Sequence, residues 1–100
     1  MGSDHYIRGV QAYKSKDYKG AIEILFNAPL DQWDAQLYLG MSYYMTGKHT
    51  KAREHFARIR DLCPDDEIRE KATAAFAAVN AKLLESAKLD QAEEDGWTIS

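Results

Sequence analysis

Apolar residues recur along the chain at the three- and four-residue spacing of amphipathic helices, not at the alternating spacing of strands. No β-branched run interrupts this pattern, and the long segments are rich in Ala, Leu, Lys and Glu, which favour helix. The pattern predicts an all-α fold of about five helices. Their expected ranges are about Asp4 to Lys14, Asp17 to Asn27, Asp31 to Met45, Thr50 to Leu62 and Glu67 to Leu89.

Residues that commonly begin or end helices mark these boundaries. Asp17 and Asp31 are the predicted N-caps of the second and third helices, because a short acidic side chain can accept a hydrogen bond from a free backbone N–H. Pro29 ends the second helix, and Gly47 ends the third with a left-handed turn. Every connection is short, so neighbouring helices are expected to lie antiparallel.

The first pair of helices and the second pair repeat each other at a constant offset of 31 residues. The aligned positions are Gly9 with Gly40, Tyr13 with Tyr44, Ala21 with Ala52 and Leu25 with Phe56. A small residue in the middle of each first helix, and another near the start of each second helix, lets the two axes approach closely. Self-similarity with this period indicates antiparallel helix-turn-helix repeats stacked into a solenoid.

The second of these units resembles a tetratricopeptide repeat. The positions that match the family pattern, all at the family spacing, are Leu39, Gly40, Tyr43, Gly47, Ala52, Phe56, Ile59 and Pro64. Gln36 stands where the family usually has an aromatic residue. The first unit keeps Gly9, Ala21, Leu25 and Ala28 but departs at Arg8, Ala12 and Lys16. It is also three residues shorter than the family period, so its second helix is expected to lose most of a turn.

The last helix carries one apolar stripe, as expected of a helix that caps a solenoid. The stripe consists of Ile68, Ala72, Ala75, Phe76, Val79 and Leu83, and the opposite side carries Arg69, Glu70, Lys71, Asn80, Lys82 and Glu85. Asp65 or Asp66 is its predicted N-cap. The predicted organisation is one domain over residues 4–89, with repeat one at 2–32, repeat two at 33–66 and the capping helix at 67–89. Residues 90–100 form an acidic tail that ends in Trp and Ile, and Gly96 is expected to end the helix there.

The family resemblance implies that the first helices of successive repeats line a concave groove. By register, the expected groove residues are Tyr6, Val10, Tyr13 and Lys14, then Leu37, Met41, Tyr44 and Met45, then Lys71, Ala75, Ala78 and Lys82. The second group forms a single stripe along one helix, whereas Leu39, Gly40 and Tyr43 face the other helix of the same repeat. That helix is therefore apolar on two sides.

The chemistry of the groove indicates the class of ligand. Some members of the family hold a C-terminal carboxylate with basic and amide side chains, but the corresponding positions here are Tyr6, Val10 and Met41. Tyr, Met and Leu side chains suit an apolar or amphipathic peptide or helix. The chain is therefore interpreted as a non-enzymatic protein–protein interaction module, an adaptor or assembly scaffold. The alternative is a self-assembling structural protein whose groove binds another copy, or its own tail through Trp97 and Ile99.

No residue pattern predicts catalysis, a metal site or a cofactor. The three histidines, His5, His49 and His55, lack the four-residue spacing of a helical metal site and are expected at the surface. The single cysteine, Cys63, is expected to be a buried apolar residue near a helix end. Glycine-rich phosphate loops and nucleophile motifs are absent from the sequence.

Composition and charge narrow the class of partner. Hydrophobic residues make up 45% and charged residues 29% of the 100 residues, which is typical of a globular domain. The net charge of −3 provides no overall basic field for nucleic acid. No apolar run is long enough to cross a membrane, and no segment resembles a secretory signal. The expected setting is the reducing cytoplasm, with a protein or peptide partner or a second copy of the chain.

Overall fold

Five α-helices follow one another along residues 2–99 in the computed structural model, which describes the side chains of residues 6–85. They are α1 (Gly2–Lys14), α2 (Tyr18–Leu25), α3 (Trp33–Met45), α4 (His49–Leu62) and α5 (Asp66–Ile99). Residues 2–99 contain no strand. The predicted all-α class is confirmed.

The helices pack as two layers of a short helical solenoid. Each helix packs against the next one along the chain, and α3 also packs against both α1 and α5. The helices α1, α3 and α5 therefore lie side by side in one layer, with α2 and α4 in the other. None of the helices within residues 2–99 combines the length and the hydropathy that a membrane span requires.

Two glycines allow the helices of each pair to approach closely. A Cβ atom added to Gly40 would lie 2.8 Å from Cε1 of Phe56, which is too close for a carbon–carbon contact. A Cβ atom added to Gly9 would overlap the side chain of Leu25. These two contacts are equivalent. One lies between α1 and α2, and the other lies between α3 and α4 and involves residues 31 positions later.

The apolar stripe of α5 covers the core formed by the other helices. Ala72 and Val79 are fully buried, and Phe76 and Leu83 pack against the same cluster. The guanidinium of Arg60 lies over the Phe76 ring, 4.6 Å from its centroid, and shields the exposed side of that ring. The predicted apolar side of the last helix is confirmed.

Most of the predicted helix boundaries are confirmed by backbone geometry. Asp17 caps α2, since its Oδ1 accepts a hydrogen bond from the backbone N–H of Gly20 at 3.0 Å. Asp65 caps α5 in the same way, accepting from the N–H of Ile68 at 3.1 Å. Gly47 has φ 82°, the left-handed turn expected after α3. Lys16 occupies the equivalent position after α1 and adopts φ 65°, although it is not a glycine.

Two of the predicted end signals, Asp31 and Gly96, do not act as expected. Asp31 does not cap α3, which begins at Trp33. The backbone N–H of Gln32 donates a hydrogen bond to the carbonyl of Pro29 at 3.1 Å. Asp31 therefore lies within a turn that closes before α3 begins. Gln32 takes the N-cap position without a side-chain hydrogen bond. Gly96 does not end α5, which continues to Ile99, ten residues past the expected end at Leu89. A single glycine weakens a helix by about 1 kcal/mol, which is too little to require that it end.

Candidate functional site

Two adjoining pockets are lined mainly by side chains of α1, α3 and α5. The first, here called the apolar pocket, has a volume of about 240 Å³. Its lining residues are Tyr13, Met41, Tyr44, Met45, Phe56, Ala75, Ala78 and Val79. All of these residues except the two tyrosines have wholly nonpolar side chains, so the pocket suits an apolar group.

The apolar pocket exists because α3 is apolar on two sides. Leu39 and Tyr43 are buried against α4, and this side of α3 belongs to the core. Met41 and Tyr44 are only half-buried, and Met45 is 48% exposed. These three side chains remain accessible to a partner after the core has formed. Leu37 is only 7% exposed and contributes mainly to the core, although the sequence pattern placed it on the same stripe.

The second pocket, here called the acidic cleft, has a volume of about 600 Å³ and lies where α3 and α5 begin. Its lining residues are Tyr6, Asp34, Leu37, Tyr38, Met41, Asp65, Glu67, Ile68 and Lys71. Met41 lines both pockets, so the apolar pocket and the acidic cleft adjoin each other at this side chain. Together they are called the groove below.

A row of tyrosines joins α1 to α3 beside the groove. The ring of Tyr38 packs edge-to-face against Tyr13, with centroids 5.4 Å apart, and against Tyr6 at 6.2 Å. Burial, followed by the charge of Asp34, raises the pKa of Tyr6. Burial also raises the pKa of Tyr13. Both hydroxyls therefore stay protonated at neutral pH and can donate a hydrogen bond to a ligand.

The carboxylates of the acidic cleft are only partly engaged by the protein itself. Asp65 uses Oδ1 to cap α5, and Glu67 Oε1 lies 3.6 Å from Nζ of Lys71. Asp34 lies in the first turn of α3 and forms no ion pair among the described side chains. Three carboxylates and one ammonium group thus line the acidic cleft. The formal charge of the cleft is therefore −2.

Most of the residues predicted for the groove line one of the two pockets. Tyr13, Tyr44, Met45, Ala75 and Ala78 line the apolar pocket, Tyr6, Leu37 and Lys71 line the acidic cleft, and Met41 lines both. Val10 is half-buried on α1, Lys14 and Lys82 are exposed, and none of the three lines either pocket. The side chains of Trp97 and Ile99 lie outside the described residues.

Sequence reasoning missed the acidic side of the groove. Asp34 precedes Leu37 by three residues, so extending the α3 stripe back by one turn would have included it. Glu67 stands four residues before Lys71 on α5 and was recognised only as the start of the helix. Tyr38 falls between the two predicted faces of α3, and its position between two other tyrosines depends on α1 as well.

Two residues outside the groove have buried environments. His55 is half-buried against the ring of Tyr43, with centroids 5.2 Å apart, so part of its side chain remains at the surface. Its pKa is lowered by burial first and then by the charge of Arg58. Cys63 is 2% exposed at the end of α4, as predicted. Among the described residues, no three His, Cys, Asp or Glu side chains cluster as a metal site.

A family model described as Tetratricopeptide repeat matches residues 34–66, which span nearly all of α3, all of α4 and the connection to α5. Neither a curated protein nor a solved structure matches the chain.

Proposed function

We propose that this chain, which contains a tetratricopeptide repeat at residues 34–66, holds an apolar or amphipathic peptide or helix in its groove. Tetratricopeptide repeats suggest a protein-interaction module, and the family is generally non-catalytic. Beyond this general role, the proposal specifies where the partner binds and what kind of segment it presents. In this role the chain serves as an adaptor or assembly scaffold.

The apolar pocket is the observation that carries the proposal. Its walls come from four helices, and Met41, Tyr44 and Met45 keep accessible surface that the core does not use. Removing a Met or Leu side chain of this size from water contributes on the order of 2 kcal/mol. Flexible Met side chains can also adjust to the shape of a partner. These properties favour an apolar anchor residue inserted between α3 and α5.

The groove is unsuited to a C-terminal carboxylate. The positions that hold such a group in some tetratricopeptide proteins carry Tyr6, Val10 and Met41 here. The carboxylates of Asp34 and Glu67 lie in the same cleft and would repel an anion. The favoured ligand is therefore an internal segment of a partner rather than its free C-terminus.

Charge placed in the apolar pocket tests the proposal. The Met41→Glu/Tyr44→Glu variant puts two carboxylates among apolar side chains, and is expected to lose the partners that the wild-type protein retains in a pull-down read by mass spectrometry. The matched control is Thr50→Glu/Ala77→Glu, which adds the same charge at two exposed positions outside both pockets. If all three proteins keep the same helical circular-dichroism spectrum and retain the same partners, groove binding is wrong.

A second function, self-assembly through a different surface, is favoured by exposed apolar side chains near the α2–α3 and α4–α5 connections. Phe26, Leu30 and Leu62 are 68%, 65% and 63% exposed. Covering them with another copy would remove apolar surface from water. Light scattering over a range of protein concentrations tests this alternative. A mass that rises with concentration in the wild type but not in Phe26→Ser/Leu62→Ser supports self-assembly, and a constant monomer mass excludes it.

A further inference from the structure

We infer that the segment held in the groove carries a lysine or arginine whose cationic end enters the acidic cleft, while a neighbouring apolar residue enters the apolar pocket. This inference rests on the proposed function, and it adds the charge and the placement of a second anchor. The ligand is thus a basic amphipathic segment of a partner protein.

The charges of the acidic cleft favour a cation. Lys71 is already close to Glu67, so its ammonium does not neutralise Asp34 or Asp65. Asp65 uses one oxygen to cap α5, and its second oxygen makes no hydrogen bond among the described side chains. An incoming ammonium or guanidinium would offset the excess negative charge and gain charge-assisted hydrogen bonds.

The walls of the cleft suit a long side chain rather than a small ion. Leu37, Met41 and Ile68 provide apolar surface, and the carboxylates come from the first turns of α3 and α5 and the connection before α5. The aliphatic stem of Lys or Arg can pack along such a surface while its charged end reaches the carboxylates. The rings of Tyr6 and Tyr38 line the same space and offer electron-rich surface to a cation.

The shared position of Met41 places both anchors on one ligand. Because this side chain lines both the apolar pocket and the acidic cleft, a segment bound across Met41 can place one residue in each. The same charges disfavour the chain's own tail as the occupant. Asp90, Glu93, Glu94 and Asp95 would bring further negative charge to a cleft that already has an excess.

Selection from a displayed library of random peptides tests the inference. Peptides recovered on the wild-type protein are expected to combine Lys or Arg with an apolar residue at a fixed spacing. A synthetic copy of one such peptide, and its version with the cation replaced by Gln, are then titrated by calorimetry. Asp34→Asn/Glu67→Gln is expected to weaken binding of the first peptide roughly fivefold and to leave binding of the second nearly unchanged.

The matched control is Glu23→Gln/Glu70→Gln, which removes the same charge at two exposed positions outside the groove and should bind both peptides as the wild type does. Added salt should reduce the difference between the two peptides. Peptides that lack a cation, or that bind the Asp34→Asn/Glu67→Gln variant unweakened, overturn the inference. The proposed function stands in that case if Met41→Glu/Tyr44→Glu still abolishes binding. If no selected peptide depends on Met41 and Tyr44 for binding, both the inference and the proposed function are overturned.

Discussion

Gly9 and Gly40 are the residues that set the separation of the helices in each pair. Each glycine faces a large side chain on the following helix, Leu25 in one pair and Phe56 in the other. Neither position needs an unusual backbone angle, since both lie inside regular helices. The requirement is space for the neighbouring side chain, and it explains why the same residue type recurs 31 positions later.

Gly40→Ala is expected to destabilise the protein. The added methyl would lie 2.8 Å from the Phe56 ring, and overpacking of this kind costs about 1–3 kcal/mol. The higher helix propensity of Ala offsets about 1 kcal/mol of this cost, so the free energy of unfolding is expected to fall by about 1 kcal/mol. Urea denaturation followed by circular dichroism measures it. A double-mutant cycle with Phe56→Leu should show strong coupling, and simple additivity would contradict the contact.

His55 is expected to make stability depend on pH. Burial against Tyr43 and the charges of Arg58 and Lys51 lower its pKa from the ordinary value of 6.5, and the charge of Glu54 opposes this only in part. The folded protein thus binds a proton less readily than the unfolded chain. The contribution of neutral His55 to stability is complete above pH 6.5 and is lost as the pH falls through the lowered pKa.

Thermal unfolding between about pH 7.5 and pH 5 tests this contribution. The melting temperature of the wild type should fall on acidification, and His55→Gln should remove part of that fall. Identical pH profiles for the wild type and His55→Gln would show that His55 does not cause the dependence.

At the scale of the elements, the helices were predictable because their signals are local. The apolar spacing and the caps at Asp17 and Asp65 lie within a few residues of the structure they determine. Asp31 was misassigned because a turn that begins at Pro29 closes before α3, and cap preference alone cannot distinguish two neighbouring polar residues. Gly96 was misassigned because a glycine permits a helix end without requiring one.

Only the part of the groove that a single helix forms was predictable from the sequence. Met41, Tyr44 and Met45 share a stripe on α3, so their accessible face follows from helical periodicity. The acidic cleft needs α1, α3 and α5 side by side, and Asp34 and Asp65 are far apart in sequence. Their separation equals the 31-residue offset of the repeat, but the apolar and small residues that define this offset carry no information on charge. The charge of the groove was therefore missed although its apolar part was found.

The role of α5 as the cover of the core is tested by a matched pair of substitutions. Val79 is 1% exposed and packs in the core, whereas Leu84 on the same helix is 56% exposed. Val79→Ala is expected to reduce the free energy of unfolding by about 2 kcal/mol, through lost burial and a small cavity. Leu84→Ala should change it by less than about 0.5 kcal/mol. Equal effects of the two changes in urea denaturation would contradict the packing of α5.

The whole molecule combines a small core with one long helix. α5 has 34 residues, against 13 in α3 and 14 in α4, and at 1.5 Å per residue it extends roughly 50 Å. This helix accounts for the 60 Å long dimension of the molecule. Its first turns form one wall of the groove, so the element that covers the core also presents charge to a ligand.

Methyl resonances of methionine provide the most direct test of groove binding. The chain has three methionines, and Met41 and Met45 line the apolar pocket while Met1 lies at the N-terminus. With ¹³C-labelled methionine methyl groups, addition of a selected basic amphipathic peptide is expected to shift the signals of Met41 and Met45. Saturable binding, measured by calorimetry under the same conditions, that leaves the Met41 and Met45 signals unmoved would contradict a partner site in this groove.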